Sequence, residues 1–335
     1  NIKTMKKTII LSFVLSLLCY NTNAQSGKAF GKVFSNFNYD MTPEEGEDSF
    51  KEFELKRAYL GYSYKIDDKF STKITFDVGN NTGGTAYTAF LKIAQLNWKY
   101  NDNVNINFGM IGTKNFKFME KAWGKRYIYK SLQDQNKWAN SADLGVTLDY
   151  SLNKNISFDF QVLNGDGYKK VQGSNGLMRG GVGLIYSINK LSVRAATDIA
   201  PRSSYEANTD NQTINTLAAV YNMGAVKIGG EYNIQENAGN VIDNKKIGRS
   251  VYGDYSLGND LSVFGRYDVL ESEDNLGNQW NLSKDGNMMI IGVQKKMTKG
   301  VTVAMNVQSW QEATLETEEE ADRENTFYIN LEYKF

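Results

Sequence analysis

From Ala142 to Tyr150 apolar and polar positions take turns along the chain. Ala142, Leu144, Val146, Leu148 and Tyr150 fall on even numbers, and Asp143, Gly145, Thr147 and Asp149 on odd ones. The next segment repeats the pattern, with Ile156, Phe158, Phe160 and Val162 set against Ser157, Asp159 and Gln161. So do Val104, Ile106, Phe108 and Met110 against Asn105, Asn107 and Gly109, and Phe327 to Phe335 at the end of the chain. A period of two puts every other side chain on one face of a β-strand. One face is therefore apolar, and the other carries charge, amide or glycine.

The alternation predicts sixteen strands, starting near residues 29, 53, 70, 88, 104, 141, 156, 177, 191, 214, 225, 249, 261, 287, 301 and 326. Most run about ten residues, the length a tilted strand needs to cross the hydrocarbon layer. Short and long connections follow one another strictly. The short ones include Asp67-Asp68, Asn153-Lys154-Asn155, Asn189-Lys190 and Thr298-Lys299-Gly300; the long polar ones fall around 40–52, 79–87, 114–140, 164–176, 201–213, 236–248, 271–286 and 311–325. A soluble sandwich also alternates polar and apolar faces. An even strand number, tight turns at one end and long loops at the other belong to a membrane barrel. The expected fold is all-β, a transmembrane antiparallel β-barrel of about sixteen strands with a constriction loop folded into the lumen. Both prolines, Pro43 and Pro201, fall in long loops, where no ladder hydrogen bond is lost.

Composition agrees with this. Tyrosine (20) and phenylalanine (17) are plentiful although mean hydropathy is polar at −0.48. Tyr64, Trp98, Tyr100, Tyr150, Tyr186, Tyr221 and Tyr255 recur just before the short turns, where amphipathic rings would form a girdle at the headgroup level. The first 24 residues read as a secretory signal: Lys6 and Lys7, an apolar run from Ile9 to Leu18, and Thr22-Asn23-Ala24 as the cleavage site. Met5 reads as the initiator, with residues 1–4 upstream of it, and residues 25–335 form the barrel domain. The only cysteine, Cys19, lies in the signal, so the mature chain has no disulfide. Loss of Lys3, Lys6 and Lys7 leaves 35 basic against 38 acidic residues, too even a balance to point to nucleic acid.

No histidine occurs. Serine–histidine and cysteine–histidine catalysis are thereby excluded, as are histidine-based metal sites. Carboxylates such as Asp149 and Asp159 read as solvated lumen residues, and Gly180-Gly181-Val182-Gly183 as strand positions beside a crowded wall. No enzyme, cofactor or metal is expected. The third long connection stands out: Lys114, Lys117, Lys121, Lys125, Arg126, Lys130 and Lys137 face only Glu120 and Asp134. Its middle, Met119 to Tyr127, lacks strand alternation and suits a short helical turn. Folded into the lumen, these cations would form an anion-binding constriction. Wall positions add Arg57, Arg179, Arg194 and Arg266, but Asp77, Asp143, Asp149, Asp159, Asp198, Glu231, Asp254 and Asp268 also face inward, so a mixed lumen without selectivity is the alternative.

Lys56-Arg57-Ala58-Tyr59-Leu60-Gly61-Tyr62, Phe70 to Val78, Trp123-Gly124-Lys125-Arg126-Tyr127 and Ser141 to Gly145 resemble the phosphate-selective porin O and P family, in particular its Bacteroidetes branch. The resemblance covers residues 50–190 best. It implies a sixteen-stranded, trimeric porin of the Gram-negative outer membrane, in contact with lipid and lipopolysaccharide and passing small anions such as phosphate. Phe335, a terminal aromatic on the apolar face, resembles the signal read by the barrel-assembly machinery. Two other readings stay open: a channel specific for phosphate or a saccharide, and a non-conducting barrel whose loops are an adhesive or structural surface. Inward aromatics that could form a sugar slide are few, Tyr59 and Tyr252 among them.

Overall fold

The computed structural model describes residues 27–80, 87–173, 176–202, 207–314 and 320–335. The signal segment and its cleavage site at Ala24 lie outside them. The described strands are β1 (Gly27–Asp40), β2 (Lys51–Lys65), β3 (Phe70–Asn80), β4 (Tyr87–Lys99), β5 (Val104–Gly112), β6 (Ala142–Ser151), β7 (Ile156–Leu163) and β8 (Arg179–Ile188). They continue as β9 (Leu191–Ala200), β10 (Gln212–Asn222), β11 (Val226–Glu236), β12 (Lys245–Gly258), β13 (Leu261–Glu273), β14 (Gly286–Thr298), β15 (Val301–Glu312) and β16 (Glu324–Lys334). Each pairs antiparallel with its chain neighbours, and β1 pairs with β16, from Lys32 opposite Lys334 to Asp40 opposite Thr326. The sheet closes on itself. Closure leaves no row of unpaired N–H and C=O groups, each of which would cost several kcal/mol in hydrocarbon.

The starts expected at 70, 104, 156, 191, 261 and 301 coincide with the observed ones, and the others differ by one to four residues. The largest difference is at β12, which begins at Lys245 rather than 249. There the ladder continues beyond the apolar band: Lys245 pairs with Glu273 at 2.6 Å and Arg249 with Glu271 at 2.8 Å. Alternation disappears from the sequence once both faces meet water, although the hydrogen bonds persist.

The apolar face points outward. Phe160 is 44% and Leu217 56% exposed, whereas Asp143 and Asn330, on the inner face, are 1% and 0% exposed. Amide ladders line part of the inner wall: Asn97 donates to Asn105 and Asn107 at 2.9 Å, and Asn306 to Asn330 at 2.6 Å. Glycine is required at one cross-strand pair. Gly109 and Gly145 face each other across β5 and β6 with φ of +110° and +158°, and a Cβ would lie 2.3 Å from Ala94 O and 2.1 Å from Val162 O.

Candidate functional site

Residues 113–141 run through the inside of the barrel. The helical turn is α1 (Lys117–Trp123), closed by Gly124 in the left-handed conformation at φ 72°. A second short helix, α2 (Leu132–Gln135), follows. Polar contacts tie the loop to the wall from β7 to β14. Lys114 N donates to Gln161 Oε1 at 2.7 Å, Gln133 Nε2 to Thr216 Oγ1 at 2.8 Å and Asn233 Oδ1 at 2.7 Å, and the Tyr127 hydroxyl to Gln294 Oε1 at 2.8 Å. From the wall, Arg266 donates to Lys130 O at 2.8 Å.

Apolar packing presses the loop against one side. Trp123, Tyr127 and Ile128 join Phe34, Tyr252, Phe264 and Ile290 in one cluster, while Phe116, Met119, Leu132 and Trp138 join Ile214, Ala218 and Leu270 in another. Lumen-facing glycines shape the seat. A Cβ on Gly248 would lie 2.5 Å from Leu132, one on Gly229 2.3 Å from Tyr252, and one on Gly292 2.7 Å from Phe264. The interior is therefore packed and apolar behind the loop, and Asp159, expected to be a solvated lumen residue, is 5% exposed and bound to Arg194. Alternation marks inward residues but not which of them another segment will cover. Tyr252 and Tyr59 belong to this packed cluster, not to a slide for sugars.

The eleven cations singled out from the sequence divide into two groups. Seven meet carboxylates. Lys114 lies 2.5 Å from Asp149, Arg57 2.9 Å from Asp77, Arg179 2.5 Å from Asp198 and Arg266 2.6 Å from Asp268. Arg194 pairs with Asp159, Lys125 with Asp254, and Arg126 with both Glu120 and Asp134. Gly183 makes room for one pair, because a Cβ there would lie 2.5 Å from the Arg194 guanidinium. The other four, Lys117, Lys121, Lys130 and Lys137, form no ion pair among the described residues. Both carboxylates of the loop go to one arginine, which leaves its lysines in excess.

Across the lumen from α2, Asp77 is the centre of a second polar group. It accepts from Arg57 through both oxygens, from Lys92 at 3.4 Å and from the Tyr168 hydroxyl at 2.6 Å. Tyr168 comes from the connection 164–178, so a further loop reaches the lumen. Burial, reinforced by the Asp77 charge, pushes the Tyr168 hydroxyl above its ordinary value and keeps it a donor. Lys92 escaped the alternation because it sits at a bulge: Phe76 pairs with Leu91 and Thr75 with Ile93, and Lys92 is the extra residue. Lys56 is turned in the same way by the bulge opposite Phe34 and Ser35, and its ammonium reaches Ile128 O at 3.5 Å. Lys130 faces Arg57, Lys92 and Arg126 as well as Asp134. Burial above all, then these cations, lowers its pKa to about 8 against the pull of Asp134.

Toward the short turns, the lumen opens into a chamber of about 870 Å³. Lys117 and Lys121 of α1 line it together with Lys190 from the β8–β9 turn and Lys227 at the start of β11. Its two carboxylates, Asp149 and Asp159, are those bound by Lys114 and Arg194. Lys227 stands on the inward face with Gly229 and Glu231, a position the alternation could have supplied.

A closed sixteen-stranded barrel with a loop packed inside is the layout of a porin, and the family model for beta-barrel porin-2, OmpL-like, matches residues 135–332. The chain belongs to this family. The porin also resembles solved structures in fold. OprB of Pseudomonas putida superposes with a TM-score of 0.70 at 8% identity, covering 93% of this chain and 94% of that one. The anion-selective porin of Comamonas acidovorans gives 0.68 at 12%, covering 92% and 99%. A trimer form of OmpT, an outer membrane protein of Vibrio cholerae, gives 0.60 at 16%, covering 92% and 99%. No curated protein sequence matches the porin. The porin is an outer-membrane channel for passive diffusion. The family matched is not the phosphate-selective one that residues 50–190 resemble.

Proposed function

We propose that this porin passes small hydrophilic solutes down their gradients and favours small anions, phosphate among them. The observation that supports this is the imbalance on the inward loop. Glu120 and Asp134 both bind Arg126, while among the described residues Lys117, Lys121, Lys130 and Lys137 form no ion pair. Fixed positive charge beside low-dielectric walls raises local anion concentration and lowers the barrier to anion entry. Arg57, Arg179, Arg194 and Arg266 serve mainly to brace the wall, because each is held by an aspartate. The bias is therefore a general one, with weak binding and fast exchange rather than a tight phosphate site. The Comamonas neighbour is described as anion-selective and the Vibrio neighbour as a trimer form; the same selectivity and a homotrimer in contact with lipopolysaccharide are the reading for this chain. Phe335 lies on the short-turn rim, where its N–H and C=O exchange hydrogen bonds with Gly31 at 3.2 Å, and it is 73% exposed, within reach of the assembly machinery.

Zero-current potentials in planar bilayers under a salt gradient test this reading. The wild type is expected to favour chloride over potassium, and K117Q/K121Q/K130Q/K137Q to lose that preference. A cation-preferring wild type, or a barrel without single-channel conductance, overturns it.

A further inference from the structure

At the end of the barrel opposite the lysine chamber there is a second one, of about 1240 Å³, formed among the described residues by the upper ends of β1, β2, β15 and β16, by Thr42 to Phe50 and by Ala321 to Arg323. Nine carboxylates line it, among them Glu44, Glu45, Glu47, Glu52, Glu54 and Glu324, against one cation, Arg323. Arg323 neutralises none of them; it donates to Asn287 Oδ1 at 2.6 Å and Gln311 Oε1 at 3.0 Å. Glu52 and Glu54 accept from Asn38 and Asn36, neutral amides that leave the charge in place. Among the described residues, none of the nine forms an ion pair.

The two chambers stand at opposite ends of one lumen. Long loops form the extracellular end of such barrels and tight turns the periplasmic end. The outer chamber is therefore acidic, and the inner one carries Lys117, Lys121, Lys190 and Lys227, which form no ion pair among the described residues.

We propose that the pore is an ionic rectifier, an acidic outer chamber and a basic inner chamber in series, which conducts better when the extracellular side is positive. This rests on the reading of the barrel as an open channel. With that polarity, cations enter through the carboxylates and anions through the lysines, and both accumulate at the constriction between them. Reversed polarity draws both kinds of ion away, and the constriction is depleted. A simple ion of either sign meets one repulsive chamber on its way, whereas a net-neutral dipolar solute such as a zwitterion meets none. The arrangement thus extends the permeant class from small anions to small zwitterions.

Single-channel currents of the full-length mature barrel at equal voltages of both signs provide the test. Orientation is set by Asp48→Cys carrying biotin in the first long loop, because streptavidin then blocks from the extracellular side only. In about 0.1 M KCl, where screening extends about 10 Å, the extracellular-positive current should exceed the reverse by about twofold or more, and the ratio should fall toward one in about 1 M KCl. E44Q/E45Q/E47Q/E52Q, all at exposed positions, should remove the asymmetry and retain conductance, and K190Q/K227Q should reduce it. Symmetric currents, or a larger current of opposite polarity, in a conducting and anion-preferring pore overturn the rectifier alone. Absence of conductance overturns both it and the channel reading.

Discussion

Lys114 Nζ lies 2.5 Å from one carboxylate oxygen of Asp149 and 2.7 Å from the other. This bond joins the first cation of the inward loop to the wall of β6, at the rim of the lysine chamber. It shows why the number of cations in the loop overstates the field in the pore. A lysine bound bidentately presents little net charge to a passing ion, and in the proposed reading the lysines without an ion pair among the described residues set the selectivity.

Asp149→Asn should release that charge. The chamber gains one net positive charge, and the chloride-to-potassium permeability ratio is expected to rise by up to about eightfold, because about 0.6 kcal/mol from one charge several ångströms away in a water-like medium favours the anion and disfavours the cation alike. Zero-current potentials of the variant and the wild type, measured in the same gradient, give the ratio. An unchanged or lower ratio would place the permeation path away from Lys114.

Anion preference should depend on pH through Lys130. Its pKa is lowered to about 8, so it is charged below that value and neutral above it. The preference is thus full at lower pH and declines as pH rises through about 8. The chain contains no histidine to add a step at lower pH. Titration of the zero-current potential should show this step in the wild type and not in Lys130→Gln. A step of equal size in the variant assigns it to another group.

The loop should loosen before the barrel does. Trp123 is buried, its ring centre 5.7 Å from that of Tyr252 and 6.0 Å from that of Phe264, and its Nε1 donates to Tyr129 O at 2.8 Å. Trp123→Ala removes about 3–5 kcal/mol of packing from the loop, while all sixteen strand pairings stay intact. Single-channel records are expected to show larger, noisier conductance, with strand content by circular dichroism unchanged. Loss of the folded barrel would mean that the loop is needed for closure.

Gly109→Ala should destabilise the sheet. Its φ of +110° is costly for any side chain, and the new Cβ would meet Ala94 O at 2.3 Å. A cost of about 1–3 kcal/mol is expected, read as a lower midpoint in urea unfolding from lipid vesicles. Wild-type stability would show that β4 and β5 can move apart.

The sequence by itself determined the barrel. Strand number, most strand ends, the order of short and long connections and the outward face follow from a local rule, the period of two, once lipid forbids open edges. Gly183 beside Arg194 fits the same reading, in which small residues in a run of strand mark a crowded wall. Even α1 was legible in part, as a break in alternation over Met119 to Tyr127, although the helix spans Lys117–Trp123 and its end at Gly124 was not read. Tertiary structure decided what is charged and what is dry inside. Whether Arg126 takes both Glu120 and Asp134, whether Lys92 turns inward at its bulge, and which aromatics the loop covers depend on residues far apart in the chain. So does the gathering of nine carboxylates without ion pairs at one end of the lumen and of lysines without ion pairs at the other, among the described residues, since only closure of β1 on β16 brings the first and last long loops together. Alternation gives a side chain its face, but ion pairing and burial depend on its neighbours across the lumen, and those are fixed only when the sheet has closed.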